Sequence, residues 1–553
     1  RLTGRLDHEA LQAALGDVVA RHESLRTVFP DTDGEAHQTV LGVEAAYVPI
    51  QQVTVSDEAE LRSALRQEMT AGFDLSRELP VRAALFAVGE DEHVLSLVLH
   101  HIAGDGWSMG PLAADLGTAY AARAEGEAPG WQPLPVQYAD YALWQRQLLG
   151  DEDESGSLAH AQLDYWRNNL AALPEELDLP TDRPRPAVAS HDGGMIPLDW
   201  DAELHQRVVE FARESSSSVF MVVQAALAAL LNRLGAGDDI PIGSPIAGRT
   251  DEALDDLIGF FTNTLVLRTD VSGQPTFREL VSRVRTTDLD AYAHQDIPFE
   301  RLVELVNPTR SRSRHPLFQV MLAFQNTSET VLELPGLTIG AEPVDTGVAK
   351  FDLVFSLRER AETGGLHGLL EFSGDLFDAI TAAGLAHRLE TLLRAVVAEP
   401  DVPVSRVELL GADERQQVLA GWNDTANPVE HGTLPALFEA QVARTPDAAA
   451  VIHDGATLSY AELDARANRL ARLLVSRGVR PESVVALAIP RSADLVVAVL
   501  AVVKAGAAYL NIDPDYPAER AAYMCADASP MGLLTVGDAG RRVPDSVPHT
   551  TLS

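Results

Sequence analysis

The chain opens with apolar positions at helical spacing. Leu11, Leu15, Val18 and Val19, with His22 closing the stripe, make "DHEALQAALGDVVARHESLRTVF" a predicted helix after a short strand. A second helical pattern runs over about 60–72. "VRAALFAVG" and "HVLSLVLHH" then read as neighbouring strands. A helix is expected from Ser108, a residue suited to an N-cap. Pro111 falls in its first turn, and Leu112, Leu116 and Tyr120 share one face. Strand, loop and helix in repetition predict an α/β or α+β fold.

"LPEELDLPTDRPRPAVASHDGG", Leu173 to Gly194, is rich in proline and charge and predicts an extended connector between two lobes. Beyond it the pattern gives a long helix from Val219 to about Leu234, stopped by Gly235. Strands follow in "IPIGSPIAGR" and "NTLVLRTD", then a helix before "HQDIPFE" and a strand in "FQVMLAFQN". The boundaries expected are 1–178 for a first lobe, 179–400 for a second, 401–433 for a linker and 434–553 for a third, α/β unit.

Composition narrows the class. Residues are 46% hydrophobic and 22% charged, enough for packed cores, and 553 residues suggest roughly three or four units of about 150. The net charge of −38 argues against nucleic acid or an anionic membrane as partner. The densest basic stretch, "RSRSRHP" from Arg310 to Pro316, is short. Cys525 is the single cysteine, which excludes intramolecular disulfides and a cysteine-rich metal site. No apolar run reaches membrane-helix length and no signal peptide is present, so the expected location is cytoplasmic.

The candidate chemistry lies in "HHIAGDGWS". On a strand ending at His101, Leu95, Leu97, Leu99 and His101 share one face, while Val94, Ser96, Val98 and His100 share the other. The two imidazoles then point apart, so no metal bound by both is expected. Gly104 and Gly106 permit a tight or positive-φ backbone that brings peptide N–H groups to an oxygen. Asp105 is placed to orient an imidazole or to pair with an arginine. The helix beginning near Ser108 turns its positive end to the same region. Taken alone, a histidine pair at a strand end is more often structural than catalytic.

"HHIAGDGWS" resembles the HHxxxDG signature of condensation domains of nonribosomal peptide synthetases. "RHESLRTVF" (Arg21–Phe29), "VQYADYALWQ" (Val136–Gln145), "IGFFTNTLVLR" (Ile258–Arg268) and "HQDIPFERLV" (His294–Val303) resemble further signatures in the family's order. "RSRSRHPLFQVMLAFQN" (Arg310–Asn326) is a looser copy, with Ser311 and His315 where Asp and Asn are usual. The third unit resembles the start of an adenylation domain in "LSYAELDARANRLARLL" and "VVKAGAAYLNIDPDYPAER", with Asn511 where Pro is usual. Its phosphate loop does not occur before Ser553, and the condensation family's first signature is missing. The chain is therefore expected to be an excerpt of a longer synthetase.

The resemblance implies two chloramphenicol-acetyltransferase-like lobes in a V-shaped pseudo-dimer with a tunnel between them. Donor and acceptor would enter as thioesters on the 4'-phosphopantetheine arms of carrier proteins. No cofactor is implied for condensation itself; ATP and Mg belong to a complete adenylation domain. His101 would face the tunnel, with Gly106 N–H as an oxyanion contact. His100 would be structural, and Asp105 would form a buried salt bridge with Arg21 as partner. Arg26, Trp107, Ser108, Asn263 and Gln295 are candidate tunnel or loop supports, each equally readable as a satisfied core polar group. "HHIAGDGWSMG" is most similar to domains joining an L-configured donor to an L-configured acceptor. The implied reaction is attack of an α-amine on a thioester, with His101 as base or as positioning hydrogen-bond donor. An acyltransferase with a soluble amine or alcohol acceptor, an epimerase and a non-catalytic docking platform are the alternatives.

Overall fold

The computed structural model describes residues 1–325, 332–342, 344–360, 364–429 and 431–552. Asn326, the last residue of the sixth signature, lies outside them. The chain divides into two compact units, Arg1–Leu419 and Ala420–Ser553.

The first unit is built on two sheets. The first is ordered Thr338–Ile339, Leu2–Thr3, Glu92–Leu99, Val81–Gly89, Ile50–Thr54. Its central hairpin pairs Val81 with Leu99 and Leu85 with Leu95, so the period-2 alternation sorts its faces. Ala83, Leu85, Leu95, Leu97 and Leu99 meet Leu11, Leu15 and Val18 of helix His8–Arg21 and Leu112 and Leu116 of helix Met109–Ala124. Ala84, Phe86 and Val94 meet Leu61 and Leu65 of helix Glu58–Thr70 on the opposite face. Both faces are covered by helices, as the apolar run of this hairpin requires.

The second sheet is ordered Asn263–Asp270, Asp239–Ile246, Val320–Gln325, Leu353–Glu359, Leu366–Ser373, Gly193–Trp200. On one face lies helix Val219–Arg233, whose residues from Met221 to Leu231 are all buried. Such a helix, apolar on every side, needs a core around it. Helices Ala202–Glu214, Phe277–Tyr292 and Ala379–Ala398 supply that core. Among the described residues no single helix is long and apolar enough to cross a membrane.

Packing and strand pairing cross several of the expected boundaries. Ala159, Leu163, Trp166 and Leu170, placed before 178 in the first lobe, pack with Leu265, Leu267, Ile297, Leu302 and Phe318 of the second. A stretch of the second lobe crosses back, since Thr338–Ile339 pairs with Leu2–Thr3 at the edge of the first sheet. Helix residue Gly117 makes that crossing possible, because a Cβ there would sit 2.6 Å from the Glu333 carbonyl oxygen. The front of the expected linker belongs to the second lobe: Val404, Val407 and Leu409 are buried in its core, and Arg233 donates to the Val404 and Val407 carbonyls. In two of these cases the cause is apolar side chains that sequence distance did not connect, and in the third it is backbone pairing between distant strands.

The second unit carries a four-stranded parallel sheet ordered Ala508–Asn511, Val484–Ala488, Gly532–Val536, His549–Leu552. Helices Tyr460–Ser476 and Ala493–Lys504 bury Leu463, Leu470, Leu474, Val497, Ala498 and Ala501 in one core with Val485 and Leu487 of the sheet.

Candidate active site

The strand carrying the histidines ends at Leu99, one residue before the pair, so His100 and His101 stand in the turn that follows. Their separation survives this change. The His100 N–H donates to the Pro80 carbonyl at 2.9 Å, and its Nδ1 accepts from the Ile102 N–H at 3.1 Å. Its ring meets Phe73 edge-on, with centroids 5.8 Å apart. Burial holds the His100 imidazole below its ordinary pKa, helped by His101 and Lys350. His101 is exposed, with its ring edge against Phe260 at 4.8 Å. One imidazole is fixed in the protein and the other faces outward.

Asp105 is the anchor of the turn, with a side chain 0% exposed. Its Oδ1 accepts from the Ser108 N–H at 2.9 Å, and the Ser108 hydroxyl lies 2.8 Å away. Its Oδ2 accepts from the N–H groups of Phe261 and Thr262 at 3.0 and 3.2 Å, and from the Thr262 hydroxyl at 3.2 Å. Those two N–H groups belong to the second lobe, so one carboxylate closes the seam between the lobes. Burial alone pushes the Asp105 carboxyl up. Ser108, the Arg249 charge and the Phe261 N–H together outweigh it and hold the group below the usual carboxylate range.

The cation at Asp105 is Arg249, at 3.4 Å, which corrects the expected pairing with Arg21. Arg249 also reaches the Ser108 hydroxyl at 3.1 Å and the Leu254 carbonyl, and lies over the Phe261 ring at 4.1 Å. Arg21 instead donates to Asp115 at 2.9 Å and to the Gln132 carbonyl, and stacks over Trp131. Helix Met109–Ala124 carries Asp115 towards Arg21 and His22, and Asp105 points the other way, across the seam. Ser108 departs from its expected role as well. It precedes the helix, but its hydroxyl lies between Asp105 and the Gly259 carbonyl (2.9 Å) and caps no helical N–H.

The seam gathers the signatures that were separate in sequence. Ser24 donates to the Ile258 carbonyl at 2.7 Å, and Tyr138 donates to the Phe260 carbonyl at 2.7 Å. Asn263 donates to the Gln295 and Ile297 carbonyls, both at 2.8 Å, and accepts from the Phe299 N–H at 3.1 Å. The segment 258–263 is thus the common partner of four others. Asn263 and Gln295 line a cavity of about 240 Å³ together with Phe260, whose ring touches His101. Arg26 bonds Glu23 and the Leu41 carbonyl and serves the first lobe's own loop. Trp107 is half-buried between Gly106 and Ser108.

Of the two backbone forms expected at the turn's glycines, positive φ is not adopted at Gly104 or Gly106. Gly104 is there for space, since a Cβ would meet Leu99 at 3.2 Å. At Gly106 a Cβ would meet nothing within 4 Å. Its missing side chain leaves that stretch of backbone open to an incoming atom. Arg249, Phe260 and Tyr138 were not identified from sequence. Tyr138 and Phe260 lay within quoted signatures, whereas nothing in the spacing marked Arg249. Among the described residues no group of three or more His, Cys, Asp or Glu side chains could hold a metal ion.

Comparison with known proteins identifies the family and the fold. Residues 1–419 match the condensation domain family model, and residues 438–552 match that of the AMP-binding enzymes. The chain is 52% identical to a dimodular nonribosomal peptide synthase of Bacillus subtilis, over 100% of this chain and 23% of that protein. It is 47% identical to an isonitrile lipopeptide synthase of Mycobacterium tuberculosis, over 98% of this chain and 22% of that one. Among solved structures, the X-domain from teicoplanin biosynthesis is 42% identical with a TM-score of 0.70, covering 74% of this chain and 91% of its own. A four-domain nonribosomal peptide synthetase bound to AMP and glycine covers all of this chain and 42% of its own. Its TM-score of 0.87 at 24% identity shows the fold alone.

Proposed function

The chain belongs to the condensation-domain family, and we propose that its first unit joins a carrier-bound acyl donor to a carrier-bound aminoacyl acceptor through a new peptide bond. In that reaction the acceptor nitrogen attacks the thioester carbon. The C–N bond forms, the C–S bond breaks, the nitrogen loses a proton and the thiolate leaves to be protonated.

The observation that carries the reading is the exposed imidazole of His101 on the same turn as the exposed, side-chain-free backbone of Gly106, a turn fixed by the buried Asp105. His101 takes the proton from the attacking nitrogen or holds the amine by a hydrogen bond. The Gly106 N–H donates to the carbonyl oxygen as it becomes an oxyanion. A free α-amine has a pKa of about 7.7–8 and a thioester is already an activated acyl group, so neither needs strong activation. Orientation of the two arms contributes several kcal/mol. The turn residues "HHIAGDGWSMG" support an L-configured donor.

The test is transfer between two carrier proteins loaded chemically with a donor and an acceptor, read by intact-protein mass spectrometry. Peptide appearing on the acceptor arm supports the reading. Loss of donor to a soluble amine, or racemised donor without transfer, would replace it with one of the acyltransferase or epimerase readings. One relative favours a further possibility, because the teicoplanin X-domain is known in a complex with OxyB. A purely docking role for this chain requires that no transfer occur at all.

A further inference from the structure

The basic stretch Arg310–Pro316 takes no part in the seam, and its surroundings suggest a use. It borders a cleft of about 650 Å³, formed by the chain after helix Leu158–Asn169, the end of helix Phe299–Val306 and the loop 308–317. That volume is within the range of about 300–1,000 Å³ typical of binding sites. Leu170, Leu173, Val303, Val306 and Leu317 give it apolar walls.

The charge at its rim is unbalanced. The two acidic residues lining the cleft are already paired, Glu175 with Arg314 at 3.0 Å and Glu304 with Arg301. Arg310 and Arg312 also line it and are exposed, and neither makes an ion pair or side-chain hydrogen bond among the described residues. A chain of net charge −38 therefore presents two unpaired guanidinium groups beside an apolar cleft. Ser311 stands where an Asp is usual in the related signature. That replacement removes the carboxylate nearest to both arginines in sequence and makes the rim more basic.

We propose that this cleft docks a protein partner through an acidic segment carrying one apolar anchor residue. The anchor fills the cleft, and flanking carboxylates take the forks of Arg310 and Arg312. A dispersed polyanion does not meet the requirement, because the apolar walls stay wet without an anchor. A basic or neutral segment leaves both guanidinium groups unpaired.

The test is selection of displayed random dodecapeptides on the whole chain, followed by anisotropy measurements on the enriched sequences. Counter-measurement uses Arg310→Ala/Arg312→Ala, with melting curves to show that the exposed double variant folds as wild type. Enriched peptides should combine Asp or Glu with a Leu, Ile, Phe or Trp. They should bind the variant at least 10-fold more weakly and lose affinity as salt rises. Replacing the apolar residue by Ser should cost a further 10-fold. Failure to enrich any such sequence overturns the proposal. So does binding that the double variant leaves unchanged, or binding equalled by hexaglutamate.

Discussion

Replacing Asp105 by Ala should open the seam between the lobes while leaving the two cores intact. The substitution removes the acceptor of the buried N–H groups of Ser108 and Phe261, of the part-buried N–H of Thr262, and the counter-charge of Arg249. The Arg249 side chain is 1% exposed, so water cannot easily replace the carboxylate. Breaking a buried pair in this way costs about 3–5 kcal/mol, and each orphaned buried N–H about 1–3 kcal/mol if nothing moves to meet it. The Ser108 hydroxyl keeps the Gly259 carbonyl, which limits the loss. A local cost of about 3 kcal/mol is the lower bound, equivalent to roughly 150-fold in an opening equilibrium. Hydrogen exchange read by mass spectrometry isolates that equilibrium, because Phe261 and Thr262 donate to the missing carboxylate. Peptides covering 258–264 should exchange about 100-fold faster or more, while those covering 221–231 in the second core should not change. Equal protection in wild type and variant at 258–264 would refute the seam role assigned to Asp105.

Asp105 and Asp288 should shift stability with pH in opposite directions. The folded pKa of Asp105 is depressed, so its contribution is present above the unfolded value of about 3.9 and lost as pH falls through the folded one. Asp288, buried at 0% exposure, has Gln224 as its carboxylate's one hydrogen-bond partner among the described residues and is pushed up to about 7 by burial. Its contribution to stability is therefore full below about pH 4 and falls by about 4 kcal/mol as pH rises to about 7, because the unfolded chain ionises first, and Asp288→Asn should melt higher than wild type at pH 8. Equal melting temperatures at pH 8 would contradict that burial effect. Gly248→Ala should destabilise by about 3–5 kcal/mol in chemical denaturation, since φ is +66° and a Cβ would overlap the Phe261 carbonyl oxygen; a loss under 1 kcal/mol would contradict it. In the two-carrier assay an L-aminoacyl donor should transfer at least 10-fold faster than its D-isomer, and the reverse preference would displace the L-donor reading.

How far the site could be read from the sequence depended on distance along the chain. Strand alternation made the two histidines legible as different in kind; the strand stops at Leu99, and their different settings come from the turn, which puts His100 against Phe73 and leaves His101 exposed beside Phe260. The placement of Asn263 and Gln295 together near the site followed from signatures whose residues the fold gathers. Arg249 was not legible, since it lies 144 residues from Asp105 and no local pattern distinguishes it from the paired surface arginines. The packing of Val404, Val407 and Leu409 was missed for a related reason. Their segment is short and charged at its edges, and only packing with the second lobe's other apolar residues makes them core. Local periodicity reports which face is buried; it does not report against what.

The role of His101 is tested most directly by single-turnover transfer between preloaded carrier proteins, comparing wild type with His101→Ala and confirming the fold of each by circular dichroism. The exposed imidazole beside Phe260 and the open Gly106 backbone predicts a rate lower by about 10²-fold or more, with the variant as stable as wild type. A variant that transfers at the wild-type rate would show that positioning alone makes the bond and that His101 handles no proton.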